Sequence, residues 1–295
     1  MKTRQAMVSA LFMALLCVPM AVLAEVMVVA ESGNHNHREF IAALGADAGD
    51  RIEVFDINGA LPLERDWEAV IAVGGRAGIW VEANRPGRRR LYAMVPEAAA
   101  RDWLEGEHDD GLFLDTDPRF VVQLLQVALS GVKTVRVLVG PDTAVYGERM
   151  ATVARAAGLT PHVLEVNTEP GEAEFDSNEL EAIFAVGEAV VVAADPVVLN
   201  RETVVPLIRG AYLRDRPLIA HSESAVRAGA LMALHSTPQR LGREAGDWLM
   251  GHAGRWTPYA GDYELSVNYG VARALGLDLP GERELKRRLD EEMGP

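Results

Sequence analysis

Short apolar runs, each ended by a polar or glycine-rich turn and followed by a helical pattern, constrain this chain more than any other feature. Glu25–Ala30 (EVMVVA) is the first, and Val132–Val139, Ala189–Ala194 and Pro217–Ala220 repeat the theme. A strand that is apolar on both faces needs cover on both faces, which is the mark of a parallel sheet flanked by helices. Ile52–Ile57, Val70–Val73, Leu91–Val95 and Pro161–Val166 read as further strands. The spacing predicts helices between them: one carrying Phe40, Ile41 and Leu44 and stopped by Gly45, then Glu97–Leu104, Arg119–Leu129, Tyr146–Ala157, Glu179–Phe184 and Val204–Leu213. Leu241–Met250, Asn268–Leu275 and Glu282–Glu292 complete the set, with a short strand at Tyr263–Val267. Alternation of this kind specifies an α/β fold.

Gly111–Pro118 (GLFLDTDP) interrupts the rhythm, and a new strand–turn–helix series opens at Val132. The two series form a weak internal repeat, which predicts two Rossmann-like lobes. Gly111–Pro118 and His235–Pro238 read as segments crossing between them, and Glu172–Asn178 as an acidic linker.

Residues 1–24 stand apart from the fold. Lys2 and Arg4 precede the apolar Met7–Val22, and Val22-Leu23-Ala24 offers a small-residue cleavage pattern. That is a secretory signal peptide; the apolar run contains Pro19 and is shorter than the ~20 residues a spanning helix needs. The one cysteine, Cys17, lies inside it and follows Leu16, where lipid attachment needs a small residue. The exported protein therefore has no thiol and no disulfide. Cleavage removes Lys2, Arg4 and no acid, taking the formal net charge from −14 to −16. So acidic a surface disfavours nucleic acid and anionic membranes as partners.

Polar groups just past the carboxyl ends of parallel strands are where open α/β sheets bind ligands. Ser32 and Gly33 follow the first strand, where backbone amides at a helix start suit an anion; the alternative is an ordinary cap by Ser32 or Asn34. Gly74 and Gly75 follow another strand, and with Gly78 they make G-G-x-x-G rather than the dinucleotide fingerprint G-x-G-x-x-G. They serve either close backbone approach to a ligand or a tight turn. Thr143 and Tyr146 sit in the mirrored loop of the second series, to hydrogen-bond and stack on a ligand, or to cap a helix and pack at the hinge. Asp195 ends a buried strand and can receive an ammonium group, or simply start a turn before Pro196. His221 and Ser222 end the strand Pro217–Ala220 and form one wall of the expected cleft. His35-Asn36-His37, with His221 and Glu223 opposite, is the one arrangement suggesting a divalent metal, but H-x-H on an extended segment is common on any surface. Arg88-Arg89-Arg90 reads as a solvated turn, and Asp109-Asp110 as a loop pair with no histidine nearby. No catalytic constellation emerges, so no enzyme, cofactor or metal is expected.

The second half carries a resemblance. Its residues are Arg216-Pro217-Leu218-Ile219-Ala220, Ala228-Gly229-Ala230-Leu231, Leu241-Gly242 heading a helix, Ser266-Val267-Asn268, Ala272-Arg273 with Gly276-Leu277, and Leu279-Pro280. Gln123, Gly158-Leu159 and Ala194-Asp195 add to them. Over Asp117–Pro280 this resembles the ABC-transporter substrate-binding protein family with tryptophan-binding members, whose members have the type I periplasmic-binding-protein fold. The resemblance implies two lobes hinged by crossing segments, 25–115 plus about 239–262 and 116–238 plus about 263–295, closing on a small organic ligand. It implies a periplasmic monomer handing that ligand to an ABC permease. The alternative is a periplasmic sensor or accessory protein of the same fold, acting with a membrane sensor.

Overall fold

The computed structural model describes residues 25–166, 175–195, 197–251, 258–261 and 263–293. The signal peptide expected at 1–24 and residues 172–174 of the acidic linker lie outside the described residues.

The first sheet holds five strands: β1 (Val26–Ala30), β2 (Ile52–Asp56), β3 (Ala69–Val73), β4 (Arg89–Val95) and β5 (Asp109–Phe113), in the order β2-β1-β3-β4-β5 and all parallel. Every residue of β1 and β3 is buried, as their unbroken apolar sequences require. Helices α1 (His35–Ala48), α2 (Gly75–Asn84) and the short α3 (Glu97–Ala100) connect these strands. The second sheet repeats the theme with β6 (Thr134–Val139), β7 (Thr160–Glu165), β8 (Ala189–Val192), β9 (Leu218–Ala220), β10 (Met232–His235) and β11 (Glu264–Val267). Its order is β11-β10-β9-β8-β6-β7, parallel except for the pairing of β10 with β11. In each sheet the opening strand sits between the next two, so the chain reverses direction across the sheet between β1 and β3 and again between β6 and β8. The carboxyl ends at such reversals are where ligands bind.

Helices α4 (Pro118–Ala128), α5 (Ala144–Ala156), α6 (Ser177–Phe184), α7 (Val204–Tyr212), α8 (Glu223–Ala228), α9 (Pro238–Met250), α10 (Tyr269–Ala274) and α11 (Glu282–Met293) complete the chain. Although it follows β10 of the second sheet, α9 packs on α1 of the first, and α11 returns to pack on α4. The α1–α9 contact is close because α9 presents Gly242 and Gly246: a Cβ at Gly242 would lie 2.3 Å from the Phe40 carbonyl oxygen. Segments around 114–117 and 236–237, with residues 258–261 and 263, pass between the lobes, and hydrogen bonds tie them and the strands beside them together. The Thr116 hydroxyl donates to the Leu234 carbonyl (2.9 Å), the Asp117 amide to the Tyr263 hydroxyl oxygen (3.0 Å) and the Phe113 amide to the Pro258 carbonyl (2.7 Å).

Four local expectations are corrected. Helix α1 does not stop at Gly45; it continues to Ala48 and ends at Gly49, whose φ of 56° suits a helix end and whose amide donates to the Gly45 carbonyl. Arg89 and Arg90 are not in a solvated turn. They open β4, where Arg90 is buried against Asp109 (2.5 Å) and the Arg89 guanidinium stacks 4.2 Å from the Trp248 ring centre. Asp109 and Asp110 are not in a loop; they begin β5, with Asp109 held by Arg85 and Arg90, and Asp110 accepting from the Trp248 indole (2.8 Å). The crossing expected at Gly111–Pro118 is therefore shorter, because its first three residues complete β5.

Candidate ligand-binding site

Just past β8 the chain folds into a tight loop around Asp195, whose carbonyl accepts from the Val198 (3.1 Å) and Leu199 (2.9 Å) amides. Its carboxylate, 2% exposed, accepts from the Val197 amide through Oδ1 (2.8 Å) and from the Thr143 hydroxyl through Oδ2 (2.9 Å). The same hydroxyl accepts from the Gly140 amide (3.0 Å), so the loop after β6 fixes the acid that ends β8. Gly140 leaves the room: a Cβ there would stand 2.4 Å from Asp195 Oδ2. Gly140→Ala is therefore expected to displace the Asp195 carboxylate and break the Thr143 bond, costing about 1–3 kcal/mol in urea unfolding, as overpacked cores do.

After β9 comes His221, and then Ser222, which caps α8 by accepting from the Ala225 amide (3.3 Å). Burial pushes the His221 imidazole down to about 4 against the smaller pull of the Ala193 carbonyl and the Asp195 charge, so the ring is neutral at neutral pH. Its Nδ1 is buried with no hydrogen-bond partner, and so is the Ser236 hydroxyl oxygen just past β10. A buried polar atom without a partner costs roughly 1–3 kcal/mol, so two of them in residues that line one space need an explanation.

That space is a cavity of about 410 Å³. Ala194, Asp195 and Leu199 line it from the β8 end, His221, Ser222 and Glu223 from the β9 end, and His235 and Ser236 from the β10 end. Pro96 and Leu114 reach it from the first lobe and the crossing segment. Behind Ala194 and His221 lies a second, very small cavity that touches Asp115 and Tyr146. Burial pushes the Asp115 carboxyl up to about 7, and the nearby Asp195 charge adds to the rise. One Asp115 oxygen accepts from the Glu97 amide (2.6 Å). The Glu97 carboxylate in turn pairs with Arg149 of α5 and accepts from the Tyr259 hydroxyl (2.6 Å), joining both lobes and a crossing segment at one buried acid.

Thr143, Tyr146, Asp195, His221 and Ser222 thus come together. Asp195, His221 and Ser222 line the main cavity; Thr143 stands behind Asp195; Tyr146 is buried, with its hydroxyl donating to the Thr116 carbonyl (2.8 Å). Ser32, Gly33, Gly74 and Gly75 lie at the carboxyl edge of the first sheet and do not line it. The Ser32 amide (2.9 Å) and hydroxyl both donate to Asp56, and Asn34, not Ser32, caps α1. Gly74 has φ 85° and leaves space for His37, whose ring would sit 2.7 Å from a Cβ there. Gly33 and Gly75 face open space. Around them Arg76 is taken by Glu31 (2.8 Å) and Asn58 (3.0 Å). His35 and His37 lie on the first turn of α1 rather than on an extended segment: His35 pairs with Glu39, while His37 Nδ1 accepts from the Glu31 amide (3.2 Å). Among the described residues no group of three acids, histidines or cysteines is placed to hold a metal ion.

Sequence reasoning misses Ser236, His235, Asp115, Pro96 and Leu114. His235 and Ser236 directly follow the apolar run Ala230–Leu234, so the strand-end rule that points to His221 applies to them as well.

No family model matches the chain, and no curated protein matches it. Solved structures do, at low identity. A ligand-free, open substrate-binding protein with adhesive properties from Clostridium difficile is 15% identical over 87% of this chain and 96% of its own, with a TM-score of 0.64. An ABC domain in complex with L-Trp from Streptococcus pneumonia is 13% identical over 88% and 98%, with a TM-score of 0.58. A conserved domain protein from Vibrio cholerae is 16% identical over 90% and 98%, with a TM-score of 0.57. The chain has the type I periplasmic-binding-protein fold, with two α/β lobes on parallel-dominated sheets.

Proposed function

We propose that this protein is an exported solute-binding protein that takes a small organic ligand into the 410 Å³ cavity and presents it to an ABC importer. One observation carries the reading: His221 and Ser236, which line one cavity at the carboxyl ends of neighbouring strands, each hold a buried polar atom, Nδ1 and Oγ, with no hydrogen-bond partner. A ligand whose polar groups reach them relieves their desolvation. The volume suits a small molecule. Proteins of the same fold that bind substrates, one of them holding L-Trp, support the reading. Among the described residues no helix is long and apolar enough to cross a membrane.

Thermal unfolding of the purified protein against amino acids, nucleosides, sugars and amines tests it. A ligand at ~100 times its Kd stabilises by about 2.7 kcal/mol, a rise of roughly 5–10 °C at this chain length. His221→Ala is expected to abolish the rise. A panel in which nothing shifts the transition would overturn the reading.

A further inference from the structure

We infer that the ligand of this cavity is a small organic cation, a protonated amine on a short apolar body that carries no carboxylate. This rests on the cavity being the binding site and adds the chemical class of what fills it.

The lining is one-sided. Asp195 and Glu223 bring carboxylates to it, and among the described residues no lysine or arginine lines it. The cations nearby are engaged: Arg227 with Glu223 (2.7 Å) and Arg149 with Glu97. A ligand carboxylate or phosphate entering here would meet the Asp195 charge with no full positive charge to offset it, an unfavourable arrangement in a partly desolvated space.

What the cavity offers is acceptors. A carboxylate has about four lone-pair sites, and Asp195 uses one on each oxygen, for Val197 and Thr143. The His221 ring faces the Ala193 carbonyl, which favours a ring proton on that side. With Nδ1 the atom left unpartnered, the neutral ring presents a free lone pair there. The Ser236 oxygen is a further acceptor without a partner. An ammonium group is the complementary species, with three donors and no acceptor. Ser222 and His235 add polar groups, and the rest of the lining is apolar. Pro96, Ala194 and Leu199 line it together with Leu114, which is 38% exposed at a crossing segment and needs cover. An aliphatic or aromatic body against Leu114 and Leu199 supplies that cover.

The test is calorimetric titration with matched probes that share one apolar body: tryptamine against L-tryptophan, and 3-methylbutylamine against L-leucine and 3-methylbutanol. In each set the amine is expected to bind at least tenfold more tightly than its amino acid or alcohol. Asp195→Asn is expected to weaken amine binding at least tenfold. Should that variant fail to fold, Ser236→Ala, which removes an unpartnered atom, is expected to fold and to lower amine affinity severalfold. Amino acids or the alcohol binding as tightly as the amines, with the binding lost in His221→Ala, would overturn the cation assignment while leaving the solute-binding reading intact. No binding by these probes or by the wider panel would overturn both.

Discussion

Replacing Gly242 by valine is expected to lower the thermal midpoint by about 10 °C or more. Gly242 faces α1 near the start of α9, and its absent side chain is what lets the two helices touch. A Cβ would meet the Phe40 carbonyl oxygen at 2.3 Å, the Ala43 Cβ at 2.9 Å and the Leu44 amide at 3.1 Å. Two of these are backbone atoms inside a helix and cannot turn aside. The helices must separate, which loosens the packing of Phe40, Leu44, Leu241 and Ala245, all of them buried. Overpacking of this kind costs roughly 3 kcal/mol or more, and each kcal/mol is worth about 2–4 °C in a chain of this size. Gly131→Ala, at a site with open space, is the control and is expected to change little. Because α9 packs on α1 of the first lobe although it follows β10 of the second sheet, a neutral Gly242→Val would contradict that crossing contact itself.

The second large effect is a pair of opposed pH dependences. The Asp115 carboxyl is raised from 3.8 to about 7, so the folded protein holds its proton more tightly than the unfolded chain does. Its contribution to stability is fully present below pH 3.8 and is lost as the pH rises to about 7. The His221 ring is lowered from 6.5 to about 4, so its contribution is present above pH 6.5 and is lost as the pH falls to about 4. Between about pH 4 and 6.5 the two slopes oppose each other. Asp115→Asn removes one slope. The variant gains on the parent as the pH rises, by a few kcal/mol at neutral pH, because each tenfold difference in proton affinity is worth ~1.4 kcal/mol. The asparagine oxygen still accepts from Glu97, so the loop stays tied. His221→Gln removes the other slope and gains on the parent as the pH falls. His37 and His235, also lowered by burial, titrate in both parent and variant and cancel in the difference. Urea unfolding across this range measures both; two variants running parallel to the parent would show that neither group is held as described.

Much of the fold is legible in the sequence because parallel strands buried on both faces write themselves as unbroken apolar runs, as β1, β3 and β8 do. Gly229, with φ 127°, ends α8. What misleads is charge inside an element. Arg90 and Asp109 look like loop residues until each is seen to neutralise the other at the start of adjacent strands. The same holds at the site. Asp195, His221 and Ser222 follow apolar runs and line the cavity, whereas Thr143, expected to meet a ligand, gives its hydroxyl to Asp195. Ser32 and Gly74 follow apolar runs just as plainly, yet their neighbours Asp56 and His37 occupy them. Strand-end position tells where a side chain stands; only the fold tells what has already claimed it.

The central claim is that ligand fills the space between His221 and Ser236, and the imidazole nitrogen resonances of His221 read it directly. With the histidines labelled and His221 assigned from the His221→Gln spectrum, saturation with a ligand found by thermal unfolding is predicted to move the Nδ1 signal of His221. The signals of His108 and His162, which do not line the cavity, should stay in place. A ligand that stabilises the protein while the His221 signals remain unmoved would contradict the claim.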